Sequence, residues 1–219
     1  MVAQGIGKSV STAMVAALVL ATVGCAIGNR HEYGTVVADF RVSGSYPVAV
    51  ATRDQRDYVL SLKKSPNFVG LQRGGYGNPF DVTTEDGKPL ADNVTAALAN
   101  SLKAKGFVAV QIKTEVKDTS DTVVKKLMDA SSSRTILLTL REWKTDTYMN
   151  VALLYNATLE VRDPVGTVLA TVQIEGKDNL GGSAWNPPAV AKEVAPRALK
   201  EKLERLLNDP QVVKVMEKP

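Results

Sequence analysis

Apolar residues recur along this chain in two rhythms, and the switch between them divides it into elements. Leu90, Val94, Leu98 and Leu102 fall every fourth position behind Pro89, which predicts a helix from about Pro89 to Lys105 with one apolar stripe. Lys103 and Lys105 suit its C-terminal dipole, and Gly106 stops it. A second helix is predicted over Thr119 to Ala130. Asp118, Thr119 and Ser120 offer N-caps, and Val123, Val124, Leu127 and Met128 form its buried side. A third runs from about Pro188 to Leu207 on Val190, Val194, Leu199, Leu203 and Leu206. Lys192, Arg197, Lys200, Glu201, Lys202 and Glu204 face outward, with Glu193 placed to pair with Arg197. Pro196 predicts a kink or a later start. Asn208-Asp209-Pro210 ends this helix, and Val212 to Met216 adds a final turn that packs back.

Period two marks the strands. In Tyr46 to Thr52, Val48 and Val50 share one face while Ala49 and Ala51 share the other, as in a buried parallel strand. Val36 to Val42 reads as an edge strand, and Phe107 to Lys113, Thr135 to Trp143, Asn150 to Val161 and Thr167 to Glu175 as further strands. Asp163-Pro164-Val165-Gly166 has turn chemistry, so the last two form an antiparallel hairpin. The expected fold is α/β in the α+β sense. It is a single domain over residues 35–219, with a mixed sheet of about five strands, an antiparallel C-terminal meander and three packed helices.

Composition supports a globular domain: 219 residues, 44% hydrophobic, 23% charged and 5% aromatic. The 27 basic residues nearly balance 23 acidic ones, with the signs interleaved, so no nucleic-acid footprint is expected. The first two dozen residues stand apart. Lys8 precedes an apolar run from Val10 to Val23, which is shorter than the roughly 20 residues a stable span requires and suits the h-region of a signal peptide. That run ends at Ala21-Thr22-Val23-Gly24-Cys25, which holds the only cysteine in the chain.

The segment resembles the bacterial lipoprotein signal, in which a small residue precedes an acylated cysteine. Val23 and Gly24 fit that pattern, and Thr22 stands where Leu is usual. The resemblance implies a signal peptide over residues 1–24, a lipid on Cys25 and a lipidated tether over residues 25–34. A lone exported thiol has no disulfide partner, and acylation would cap it. The alternative is an unmodified thiol near an ordinary signal-peptidase site after Ala26. Ala26, where an Asp would favour the inner membrane, implies the periplasmic face of the outer membrane.

Element order, LANSLKAKGF from Leu98 to Phe107, the long paired strands and the tail LERLLNDPQVVKVM resemble the YajG-like lipoproteins of Gram-negative bacteria. These are mostly core pattern, so the resemblance speaks to fold and barely to chemistry. It implies an accessory or binding module for a cell-envelope protein; glycan or peptidoglycan binding is a further alternative, which expects Tyr76 or Trp185 to lie exposed.

Catalytic chemistry is sparse. His31 is the only histidine, so a Cys/His metal cluster and a Ser-His-Asp triad are not expected, and no cofactor motif is present. Ser61 and Lys64 hold a Ser-x-x-Lys spacing on what reads as a strand, without the partner motifs such enzymes use. Residues 53–88 form a connection far longer than the common length of about 4–6 residues. Its run Gly70 to Phe80 is neither a P-loop nor a dinucleotide fingerprint. Arg73, Gly74, Gly75, Tyr76, Asn78 and Phe80 there, with Trp185 in the second Gly-rich connection, make a candidate binding surface. Trp185 is expected more to plug the core than to join that surface. The expectation is therefore a protein without a catalytic site. Its rival is a hydrolase using carboxylates such as Asp54, Asp57, Asp81 and Glu85.

Overall fold

The computed structural model describes residues 28–183 and 185–217. The signal segment and Cys25 lie outside these. One mixed sheet of eight strands organises the chain, in the α+β manner expected, with five helices among the described residues. Its strands are β1 (Arg30–His31), β2 (Pro47–Asp54), β3 (Phe68–Arg73), β4 (Pro79–Thr84), β5 (Val108–Gln111), β6 (Arg134–Thr147), β7 (Asn150–Arg162) and β8 (Val168–Gly182). The helices are α1 (Asp57–Leu60), α2 (Leu90–Lys103), α3 (Ser120–Met128), α4 (Pro187–Leu207) and α5 (Pro210–Met216).

The long central strand β6 decides the topology. Its first half pairs in parallel with β2, from Val48 with Arg134 to Asp54 with Leu140. Its last residues pair in parallel with β3, from Gly70 with Thr145 to Gln72 with Thr147. That edge of β6 is therefore forked, with β5 beyond β2 and the β4–β1 pair beyond β3. The opposite edge pairs with β7 along its length, with a bulge at Arg141, and β7 pairs with β8, in the antiparallel meander expected. Asp163 accepts from Gly166 N and closes the hairpin between them.

Alternation in β2 sorts the two faces as anticipated. Val48 and Val50 join Ile136, Leu138 and Leu159 in the main core, roofed by α2, α4 and α5. Ala49, Ala51 and Leu137 form a smaller core under Val123 and Leu127 of α3. Thr119 caps α3 by accepting from Thr122 N. Pro196 lies inside α4, and the Glu193–Arg197 pair forms. Lys202, expected to face outward, lies instead over the Tyr155 ring and pairs with Asp178.

Four segments differ from expectation. The connection over residues 53–88 is largely the β3–β4 hairpin and α1, which accounts for most of the added strands. Tyr58–Leu60 is a helical turn rather than a strand, with Ser61 as its C-cap. Val36 to Val42 alternates buried and exposed but has no strand partner. It lies between helices, where Ala38 N donates to Ser101 Oγ, Asp39 N to Glu204 Oε1 and Arg41 N to Asn208 Oδ1. Residues 28–34, read as tether, join the fold: β1 pairs with β4, and His31 and Tyr33 are fully buried.

The fork closes on a buried ion pair. Arg56 is 0% exposed and Asp54 4%. Arg56 Nη2 and Nε reach the two Asp54 carboxylate oxygens at 2.6 and 2.8 Å. The guanidinium also donates to Phe68 O at 2.6 Å, Pro66 O at 3.1 Å and Trp143 O at 3.4 Å. Burial opposes its charge, but Asp54's hydrogen bonds and charge outweigh that and raise the Arg56 pKa. Arg56 thus ties carbonyls of β3, of β6 and of the turn before β3 together where β6 changes partner.

Candidate functional site

Three connections meet at the end of the sheet where β3 and β6 finish. The β3–β4 turn is held by Gly74 N donating to Asn78 O at 2.9 Å and by Gly77 N donating to Gly74 O at 2.8 Å. Tyr76 at its tip is 100% exposed. In the β6–β7 turn Tyr148 N donates to Asn150 O at 3.1 Å, leaving Tyr148 48% and Met149 59% exposed. Asn150 pairs with Gly182 at the end of β8, and Ser183 N donates to Met149 O at 3.2 Å. Ser183 Oγ then accepts from Trp185 N and Asn186 N, both at 3.2 Å, while the Trp185 side chain stays 97% exposed. Neighbouring strands lie about 4.8 Å apart, so the three steps from β3 to β8 bring these turns to within about 14 Å of one another.

Trp185 therefore does not plug the core, contrary to the sequence expectation. Val151, Ala191 and Val194, with Leu180 packed against them, close the space beneath its loop without it. Of the candidate surface, the structure brings Arg73, Gly74, Gly75, Tyr76, Asn78, Phe80 and Trp185 to this one end. Arg73 is engaged internally: its Nε and Nη2 reach the Asp146 oxygens at 2.8 and 2.7 Å, and this pairing holds the Asp146 carboxyl below its usual pKa. Phe80 is half-buried.

Tyr148 and Met149 were missed because nothing in sequence links them to residues seventy positions away. A usable signal was present in the charges. Residues 74–80, 148–156 and 179–191 contain no Asp, Glu, Lys or Arg in a chain that is 23% charged. The chain holds four Phe, two Trp and six Tyr, and the exposed ones are Tyr76, Tyr148 and Trp185. All three stand at this end.

The described chain also begins here. Gly28 lies so close to β4 that a Cβ on it would sit 1.9 Å from Asp81 O. Asn29 N donates to Gln72 Oε1 at 3.2 Å, and its side-chain amide donates to Pro188 O. Because β1 runs parallel to β4, the N-terminal end of β1 points the same way as Pro79 and the hairpin tip.

The proposed catalytic carboxylates are dispersed. Asp54 is buried on Arg56, Asp81 pairs with Lys64, Glu85 reaches Lys192 at 3.2 Å, and Asp57 is exposed in the first turn of α1. Acidic groups do share a cleft elsewhere, of about 460 Å³, lined by Glu32, Asp86, Asp92, Asn93 and Lys113. Desolvation raises the Asp92 pKa. Desolvation also acts on Asp86, but hydrogen bonds from Asn93 and Lys88 outweigh it and lower that pKa. His31 packs edge-on to Tyr33, and burial followed by the Lys192 charge lowers its pKa to about 4. Among the described residues no group of three or more His, Cys, Asp or Glu could hold a metal, and no helix is long and apolar enough to cross a membrane.

No protein-family model matches the sequence, and no curated protein matches it significantly. Solved structures are similar at low identity. A DUF330 protein from Xanthomonas campestris, XCC0632, is 13% identical, with a TM-score of 0.49 over 79% of this chain and 92% of its own. PelC from Paraburkholderia phytofirmans, solved as a dodecamer, is 15% identical, with a TM-score of 0.42 over 79% and 95%. The lipoprotein GNA1162 from Neisseria meningitidis is 12% identical, with a TM-score of 0.31 over 74% and 99%.

Proposed function

We propose that this chain is a lipid-anchored accessory module of the bacterial cell envelope, attached through Cys25 on the periplasmic face of the outer membrane. It acts by surface contact and not by turnover. One observation carries the reading: every exposed aromatic side chain stands at one sheet end, in connections that contain no charged residue, beside the point where the chain arriving from Cys25 enters the fold. Soluble surfaces mix charge among exposed apolar groups, and contiguous uncharged apolar patches mark contact sites.

Two labels test it in cells. Radiolabelled palmitate is expected to enter the wild-type chain and not Cys25→Ser; equal labelling of both would end the anchor reading. A photo-crosslinking residue at Tyr76 is expected to give adducts that the same residue at Val165 does not. Val165 is a suitable control because it is 75% exposed at the other end of the sheet.

The cleft at Asp86 and Asp92 supports a second reading, carboxylate-based hydrolysis. Two carboxyls whose surroundings push their pKa values apart fit an acid and a base. Turnover of an envelope glycan or phosphoester by the purified chain, lost in Asp92→Asn, would establish it in place of the first.

A further inference from the structure

The sheet end that bears the exposed aromatics has a chemistry that selects one occupant. Tyr and Trp join an apolar ring to a polar tip, which places them at the boundary between headgroups and acyl chains. A charge carried to that depth is costly, and the three connections bearing Tyr76, Tyr148, Met149 and Trp185 contain none. Gly and Asn fill the positions between them. Of the charges beside these connections, Arg73 and Asp146 pair with each other, and Lys144 and Lys177, which line the cleft next to Tyr148 and Met149, are basic, as suits an anionic headgroup layer.

Chain length supplies the second argument. Gly28 is three positions after Cys25, and an extended chain covers at most about 3.6 Å per residue, so an anchor on Cys25 is within about 11 Å of Gly28. Gly28 sits beside Asp81 of β4, and the end of β1 it extends points toward the hairpin tip. An acylated Cys25 therefore holds this end of the domain, and no other, against the lipid.

We infer that Tyr76, Tyr148, Met149 and Trp185 form a docking face for the bilayer surface, so that the domain rests on the membrane as well as being tied to it. This inference rests on the lipid anchor proposed above. The lipid on Cys25 supplies the anchor, and inserted aromatic rings add contact area that no longer depends on it. Docking also fixes orientation: the charged Asp163 turn of the opposite end is left pointing away from the membrane.

The protein carries its own probe. Its two tryptophans are Trp185, 97% exposed at the face, and Trp143, 1% exposed in the core. The full-length chain, purified from membranes, is reconstituted into phosphatidylethanolamine–phosphatidylglycerol vesicles containing phosphatidylcholine brominated near the top of the acyl chains. Wild-type emission is expected to shift to shorter wavelength and lose its Trp185 component to bromine quenching. Trp185→Phe, which leaves Trp143, is expected to lose nothing. Tyr76→Trp in the Trp185→Phe background restores the quenching and reports the hairpin tip separately.

Unquenched Trp185 overturns the inference. If palmitate is still incorporated, the anchor reading survives and the face belongs to a protein or glycan, which the Tyr76 crosslink identifies. If palmitate is absent as well, the anchor has failed too. Quenching of Trp143 in Trp185→Phe would show the domain unfolding on the lipid and would also overturn it.

Discussion

Two regions of this molecule reverse the usual order of polarity. At the fork, a charged pair, Arg56 and Asp54, lies inside the protein. At the sheet end, Trp185 and Tyr76 lie wholly outside it. The fork is accounted for internally, because each strong donor of Arg56 finds an Asp54 carboxylate oxygen or the carbonyl of Pro66 or Phe68. The aromatic end has no such internal account. Its turns are well hydrogen-bonded through backbone groups, yet the rings themselves pack on little. Inverted polarity with partners indicates architecture, and inverted polarity without them indicates an external contact.

Arg56→Met tests this contrast hardest. Removing one partner strands the Asp54 charge in the core, and such losses run to about 3–5 kcal/mol. Denaturant unfolding should register that loss, and Asp54→Leu with Arg56→Met should recover part of it. A change below about 1 kcal/mol in the single variant would make the pair incidental.

His31 gives the next largest effect. Burial lowers its pKa to about 4 from 6.5, so the unfolded chain takes up the proton first. The stability it contributes is complete above about pH 6.5 and is lost as pH falls toward 4, up to about 3 kcal/mol in all. Unfolding measured across that window should show the slope, and His31→Phe should flatten it.

Gly70→Val separates the two regions. A Cβ at Gly70 would meet Thr145 Oγ1 at 2.0 Å and Thr145 O at 2.6 Å, so a side chain there pries β3 from β6. The expected cost is about 1–3 kcal/mol, with the hairpin tip displaced from the other turns and the Tyr76 crosslink lost. The smallest effect belongs to the exposed rings. Tyr76→Ser with Trp185→Ser should shift stability by no more than about 0.5 kcal/mol, while a photo-crosslinking residue at Tyr148 in that background loses the adducts it gives in the wild type.

Periodicity made much of this fold legible. The stripe of α2, the alternation of β2 and β7 and the Asp163 turn all fell where local physics puts them. The failures share a cause, which is register with distant chain. Val36 to Val42 has a strand's alternation but meets helix side chains instead of a ladder. The β3–β4 hairpin hid among glycines because Gly70 is required by Thr145, seventy-five positions on. β6 continues past Trp143 through Lys144 and Asp146, whose charges interrupt the apolar pattern while the strand still pairs. Arg56 and Asp54 look like any exposed pair in sequence. The candidate surface was half legible: Tyr76 and Trp185 were visible as residue types, but only the β3–β6–β7–β8 order unites them with Tyr148 and Met149.

Hydrogen exchange on the acylated full-length chain, compared between vesicles and detergent, measures the contrast between the two ends directly. The account predicts protection on vesicles confined to residues 74–79, 148–150 and 181–187. Residues 129–134 and 162–166, in the charged turns of the opposite end, should be unchanged. Equal protection at both ends, or protection only at the charged one, would contradict it.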